Sequence, residues 1–214
     1  MSSRICITGA TGYLGRALCQ TLDRSRLLAL IRAGGAARLE PGVASLELDV
    51  FDTDQLARAF APGDTVVHLV GTPHPNPRKA AQFQSVDLGS VRASAAAAGR
   101  TGVAHFVYVS VAQPAPLMRA YVEARQAGEA AITDAGLTAT ILRPWYVLGP
   151  GHRWPYLLLP FYGIAERIPG WRDGARRLGM VTLEQMTRAL VRAIRAPPPP
   201  GTRRVLDVPG IRAA

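Results

Sequence analysis

The sequence predicts an α/β fold, a doubly wound parallel sheet with a small C-terminal substrate-side cap. Three observations carry this expectation. Short β-rich apolar runs alternate with helix-length stretches, a rhythm that calls for a parallel sheet covered by helices on both faces. A glycine-rich turn, Gly9 to Gly15, stands where the first strand should pass into the first helix. The length, 214 residues at 48% hydrophobic content, suffices for one substantial core and not for two.

The elements follow in order. Arg4–Thr8 is the first apolar run, and a helical pattern extends from Gly12 to about Asp23. Strands are expected at Leu27–Ile31 and Ser45–Asp49, a short helix at Asp54–Phe60 and a strand at Thr65–Val70. An Ala-rich helix spans Ala80–Ala98, then strand His105–Ser110, helix Leu117–Ala135 and strand Thr138–Leu142. Right-handed crossovers bring the strand C-termini to one edge, where such sheets bind ligands. Beyond Leu142, Pro144, Pro150, Pro155, Pro160 and Pro169 break the chain into short pieces. A last helix is expected over Thr182–Ile194, with Thr182 as N-cap and Gln185 at the capping-box position. Pro197–Pro200 stops it, and Val205–Val208 reads as a final edge strand. Residues 1–150 thus form the core, and residues 151–214 a small C-terminal region completing the same domain.

Composition narrows the function classes. Cys6 and Cys19 lie in a strand-like run and a helical pattern with no metal-ligand spacing, so neither a disulfide framework nor a metal site is expected. No signal peptide and no apolar stretch of membrane-spanning length is visible, which suggests a cytoplasmic protein. The net charge is +10, and residues 151–214 hold eleven Arg against four acidic residues. This basic part is either a solvated surface or a surface facing an anionic substrate, an acidic partner or lipid headgroups in peripheral membrane contact. Nucleic acid is not expected, since no recognition motif or aromatic-basic platform accompanies the charge. Oligomeric state is left open.

In Thr8-Gly9-Ala10-Thr11-Gly12-Tyr13-Leu14-Gly15 the three glycines have separate tasks. Gly9 allows the tight turn, Gly12 lets a pyrophosphate approach the backbone, and Gly15 lets the helix pack closely on the sheet. The N–H groups of the helix N-terminus then face the phosphates. This segment resembles the cofactor turn of extended and atypical short-chain dehydrogenases/reductases, including the NmrA-like and epimerase/dehydratase-like branches. The similarity continues in His105–Ser110, Gly136–Pro144 and Val181–Met186, nearly the whole chain. It implies a bound nicotinamide dinucleotide. Asp49 and Val50 take the place of the family's adenine-contacting pair, Leu69, Val70 and Gly71 that of the segment beneath adenosine and ribose, and Pro144 falls at the cofactor-side end of its motif. Arg32, with Arg38 further on, stands where a carboxylate would favour the unphosphorylated form, so NADP(H) is preferred and NAD(H) is the alternative.

The resemblance also implies a Tyr acid/base, a Lys four residues on and a hydroxyl that polarises the substrate oxygen. Tyr121 and Arg125 have the required spacing, with Arg in place of Lys, and Ser110 closes the fifth strand ahead of Val111 and Ala112. Asp87 occupies the place of the family's Asn. His68 reads as a packed core imidazole, and His74 lies in a Pro-rich loop at the active edge. His152, Arg153 and Trp154, with Trp145, Tyr146, Tyr156, Phe161 and Tyr162, form either a pocket for an aromatic or anionic small molecule or the core of the small C-terminal lobe. Two functions compete: an NADPH-dependent reductase of a small carbonyl or quinone-like substrate, and a non-catalytic dinucleotide-binding sensor or structural subunit. A sugar-nucleotide epimerase fits less well, because the C-terminal part is short.

Overall fold

The computed structural model describes residues 3–115, 117–149 and 178–214. The strands β1 (Ile5–Thr8), β2 (Leu27–Ile31), β3 (Ala44–Glu47), β4 (Thr65–His68), β5 (His105–Val109), β6 (Ala139–Leu142) and β9 (Arg203–Leu206) form one sheet in the order β3-β2-β1-β4-β5-β6-β9. Every pairing in it is parallel. Two short strands, β7 (Tyr146–Leu148) and β8 (Met180–Thr182), pair parallel in a second sheet. Because side chains alternate across a strand, each central strand feeds two cores. Cys6, Phe106 and Tyr108 point to one face, where they join Leu56, Phe83 and Ile132. Ile5, Ile7 and Val107 point to the other, with Leu18, Leu190 and Ile194.

The helices are α1 (Tyr13–Thr21), α2 (Thr53–Ala59), α3 (Ala80–Gln82), α4 (Gly89–Thr101), α5 (Arg119–Asp134), α6 (Leu183–Arg195) and α7 (Val208–Arg212). The helix expected over 80–98 is not uniform: a π-helical stretch, Phe83–Leu88, joins α3 to α4. Phe83 and Asp87 are both buried within it, so the wider winding carries an apolar ring and a carboxylate into the interior on one face. The capping box forms as expected, with Gln185 N donating to Thr182 Oγ1 at 3.1 Å and Thr182 N to Gln185 Oε1 at 2.9 Å. The last strand ends at Leu206 rather than Val208. Asp207 accepts from Gly210 N at 3.0 Å and caps α7, which takes Val208 out of the sheet.

The strand order reverses between β1 and β4, the switch point of a doubly wound sheet. The expected fourth strand also stops two residues early, at His68, so Leu69 and Val70 leave the sheet as the switch-point loop. Leu69 N donates to Thr8 O at 3.0 Å, which ties that loop to the start of the glycine turn.

Candidate functional site

The three glycines of the turn answer to different demands. Gly9 has a φ of +77°, and a Cβ there would lie 2.8 Å from the Leu69 carbonyl carbon. A Cβ on Gly15 would lie 2.3 Å from the Gly9 oxygen. The fold itself requires both. Gly12 is exposed, and a Cβ on it would meet only the Gly9 oxygen, at 3.1 Å. No side chain caps α1, whose N-cap is Gly12, and its first turn has no acidic residue. A cradle open at Gly12, at the N-terminus of α1, fits a dinucleotide pyrophosphate.

From this turn a cleft of about 290 Å³ runs across the switch point to α5. It brings together Gly9, Gly12, Tyr13, Leu14 and Gly15 with Leu69, Gly71 and Pro144, and these with Ser110, Tyr121 and Arg125. Trp145 also lines it. Thr8, Thr11, Val70, Arg32, Asp49 and Val50 are not in its lining among the described residues. Thr8 is buried, and its hydroxyl bonds to His68 Nδ1 at 2.9 Å. Arg32 is exposed beyond β2. Beside it Gly34 N donates to Glu47 Oε1 at 3.2 Å, so a carboxylate reaches the β2 loop from β3, where the sequence offered none in β2 itself. Asp49 is exposed and accepts from Phe51 N at 3.0 Å. His152, Arg153, Trp154, Tyr156, Phe161 and Tyr162 lie outside the described residues.

Helix α5 aligns Tyr121, Arg125 and Glu129 at intervals of four, one face of the helix. The Arg125 guanidinium lies 5.2 Å from the Tyr121 ring centroid and 5.7 Å from that of Tyr108. Its Nη2 donates to Asp87 Oδ1 at 2.6 Å and its Nη1 to Val109 O at 2.9 Å. Burial works against the charge, but Tyr121, Tyr108 and Asp87 outweigh it and keep the group cationic. Asp87 Oδ2 in turn accepts from Thr72 N at 3.1 Å and Thr72 Oγ1 at 2.6 Å. Ser110 Oγ donates to Glu129 Oε1 at 2.6 Å, and the same carboxylate accepts from Gln113 and Arg143. Tyr121 is half-buried, with its ring 5.0 Å from that of Phe83.

Glu129 and Thr72 were not singled out from sequence. A signal for Glu129 existed, eight residues after Tyr121 on the face shared with Arg125; Thr72 offered none in a Pro-rich loop. His68 is the packed imidazole expected. Its Nε2 meets Ser90 Oγ at 3.3 Å, and burial, helped by Arg125, pulls its pKa down to about 3. Cys6 and Cys19 are free and buried, and burial pushes their thiols up to about 12 and about 11. Among the described residues no helix is long and apolar enough to cross a membrane, and no cluster of His, Cys, Asp and Glu could hold a metal ion.

Residues 9–153 match the model of a family described as NAD(P)H-binding. A ceramide reductase of Caulobacter vibrioides is 30% identical over 202 residues, covering 90% of this chain and 61% of that protein. The chain therefore spans about three-fifths of that relative's length. Among solved structures, MoeE5 in complex with UDP-glucose and NAD superposes with a TM-score of 0.69 at 21% identity, over 95% of this chain and 75% of that one. A UDP-glucuronic acid 4-epimerase from Bacillus cereus in complex with NAD gives 0.67 at 18% identity, over 95% and 76%. These two likenesses bear on the fold alone. The family match and the open glycine cradle at that switch point lead to one conclusion: the chain belongs to the NAD(P)H-binding family.

Proposed function

We propose that the protein is an NADPH-dependent reductase of a small carbonyl or quinone-like substrate, with Tyr121 as the proton donor. The observation that carries this reading is the single cleft that joins the glycine turn to Tyr121. When bound, the dinucleotide supplies a hydride to the carbonyl carbon. Tyr121 gives its phenolic proton to the oxygen as the C=O π bond opens, leaving an alcohol, the oxidised dinucleotide and a tyrosinate that regains its proton from solvent. The Arg125 cation, 5.2 Å from the ring, stabilises that tyrosinate. Arg125 is fixed by Asp87 and does not relay protons, since a guanidinium stays protonated. Ser110 Oγ donates its hydrogen bond to Glu129, so Tyr121 carries the hydrogen bond to the substrate oxygen. NADPH is favoured over NADH by Arg32 and Arg38 on the loop after β2.

One observation favours a second reading. Arg125 and Ser110 both direct their protons into internal partners, which suits a protein that holds the dinucleotide without turnover. Oxidation of NADPH by the purified protein against a panel of carbonyls, enones and quinones separates the two. Turnover above background with at least one member supports the reductase; none across the panel supports the binding protein.

A further inference from the structure

The first residues of three neighbouring strands share one face at the edge of the sheet opposite the glycine turn. Ile5 pairs with Thr65, and Thr65 with His105, so their side chains stand side by side. Leu22 at the end of α1 and Ile194 near the end of α6 pack over the same face. Between strands and helices lies a cavity of about 330 Å³, lined by these residues and bordered by Asp23, Arg26 and Arg195. A water claims only about 30 Å³ of the liquid, and small-molecule sites begin at about 300 Å³.

One polar group of this lining has nothing to bond. His105 is 1% exposed, and its Nε2 lies 2.9 Å from Thr140 Oγ1 on the next strand. Thr140 Oγ1 accepts from Arg204 Nη2 at 3.3 Å, so its own proton goes to Nε2 and the ring carries its proton on Nδ1. Nδ1 is buried and has no hydrogen-bond partner among the described residues. Burial, aided by Arg204, keeps the ring neutral, with its pKa down at about 4. At the rim, Arg26 donates Nε and Nη2 to Ser3 O at 3.2 and 2.9 Å, and Asp23 Oδ1 accepts from Ser25 N and Oγ. Arg195 is exposed and enters no ion pair among the described residues.

We propose that this cavity is a second binding site, separate from the glycine cleft, for a small organic anion. Its ligand is an apolar chain with a neutral carbonyl oxygen at the inner end, accepting from His105 Nδ1, and a carboxylate at the outer end beside Arg195. The order of the two ends follows from desolvation. Against one neutral N–H in an apolar pocket a carboxylate would lose most of its hydration with no counter-charge, whereas at the rim it keeps water and meets a guanidinium. The inner carbonyl satisfies the N–H that the protein leaves open. Ile5, Leu22 and Ile194 suit the hydrocarbon between, and two arginines against one aspartate at the rim suit a single negative charge.

The test is titration of the protein with 6-oxoheptanoate, heptanoate and 2-heptanone, read by calorimetry and by the nitrogen resonances of the His105 ring. Heptanoate lacks the carbonyl and 2-heptanone the charge, so the oxo acid should shift Nδ1 and bind tighter than either by roughly threefold to tenfold. Arg195→Ala, a change to an exposed side chain, should abolish the advantage over 2-heptanone and leave that ketone's affinity within about twofold. His105→Phe should abolish the advantage over heptanoate, and Arg195→Ala decides alone where that variant fails to fold. Three equal affinities overturn the proposal. So do His105 nitrogens that none of the compounds shifts, even where calorimetry records heat, because the ligand then sits elsewhere.

Discussion

At Gly12 the backbone opens into the cleft, while at Gly9 and Gly15 neighbouring backbone closes over it within 3 Å. Substitution should separate the three accordingly. Gly12→Val keeps the fold and loses dinucleotide, because its side chain stands where the pyrophosphate approaches; Gly15→Ala should lose stability outright, because the Gly9 carbonyl cannot move aside. Thermal unfolding and NADPH calorimetry on both variants check this, and a folded Gly12→Val that binds NADPH like the parent would place the site elsewhere. Arg32 belongs to the same scale. A charge-assisted bond to the 2′-phosphate contributes about 1–3 kcal/mol, so Arg32→Ala should weaken NADPH roughly tenfold to a hundredfold and leave NADH nearly unchanged. An equal loss for both nucleotides argues against that contact. The glycines were legible in sequence because spacing alone determines what each must do. The partners of Ser110 and Arg125 were not, since Glu129 and Asp87 lie 19 and 38 residues away and meet them only when β5, α5 and the π-helical stretch pack together.

On the scale of elements, α5 and the Phe83–Leu88 stretch act as a pair. The π winding carries Asp87 inward, and α5 brings Arg125 to meet it in an ion pair whose side chains are 0% and 7% exposed. Removing one partner strands a buried charge. Asp87→Leu should cost about 3–5 kcal/mol, and the double variant Asp87→Leu/Arg125→Leu should recover most of it. Urea unfolding of both measures this; a single-variant loss below about 1 kcal/mol would mean that water reaches the guanidinium. The periodicity over 80–98 announces a helix, but a single extra residue per turn leaves little trace in an Ala-rich pattern, so the π stretch is not distinguishable from ordinary helix in the sequence. The edge strand was misplaced for a local reason as well. Val205 to Val208 looks like one apolar run until Asp207 and Pro209 are read as the start of a helix.

For the whole molecule, alternation of strands and helices predicted a parallel sheet and a ligand edge, and β1 and β4 meet at that edge as expected. Two buried histidines then tie stability to pH. Burial, aided by Arg125, holds His68 down at about 3, and burial, aided by Arg204, holds His105 down at about 4, against 6.5 in an exposed chain. Above about pH 6.5 both states are neutral at these sites; below it only the unfolded chain takes up the protons. Their stabilisation is present above the unfolded value and is lost as pH falls toward the folded ones, at up to about 1.4 kcal/mol per pH unit for each histidine. Unfolding free energy should therefore decline from about pH 6.5 to pH 4, and a flat profile over that window would contradict the burial of both rings. The proposed reductase depends on Tyr121 acting beside the glycine turn, and NADPH turnover by Tyr121→Phe, measured together with NADPH affinity, is the decisive experiment. A Tyr121 that donates the proton gives a fall in kcat of roughly 10²–10⁴-fold with affinity nearly intact; an unchanged kcat in a variant that still binds NADPH rules that role out.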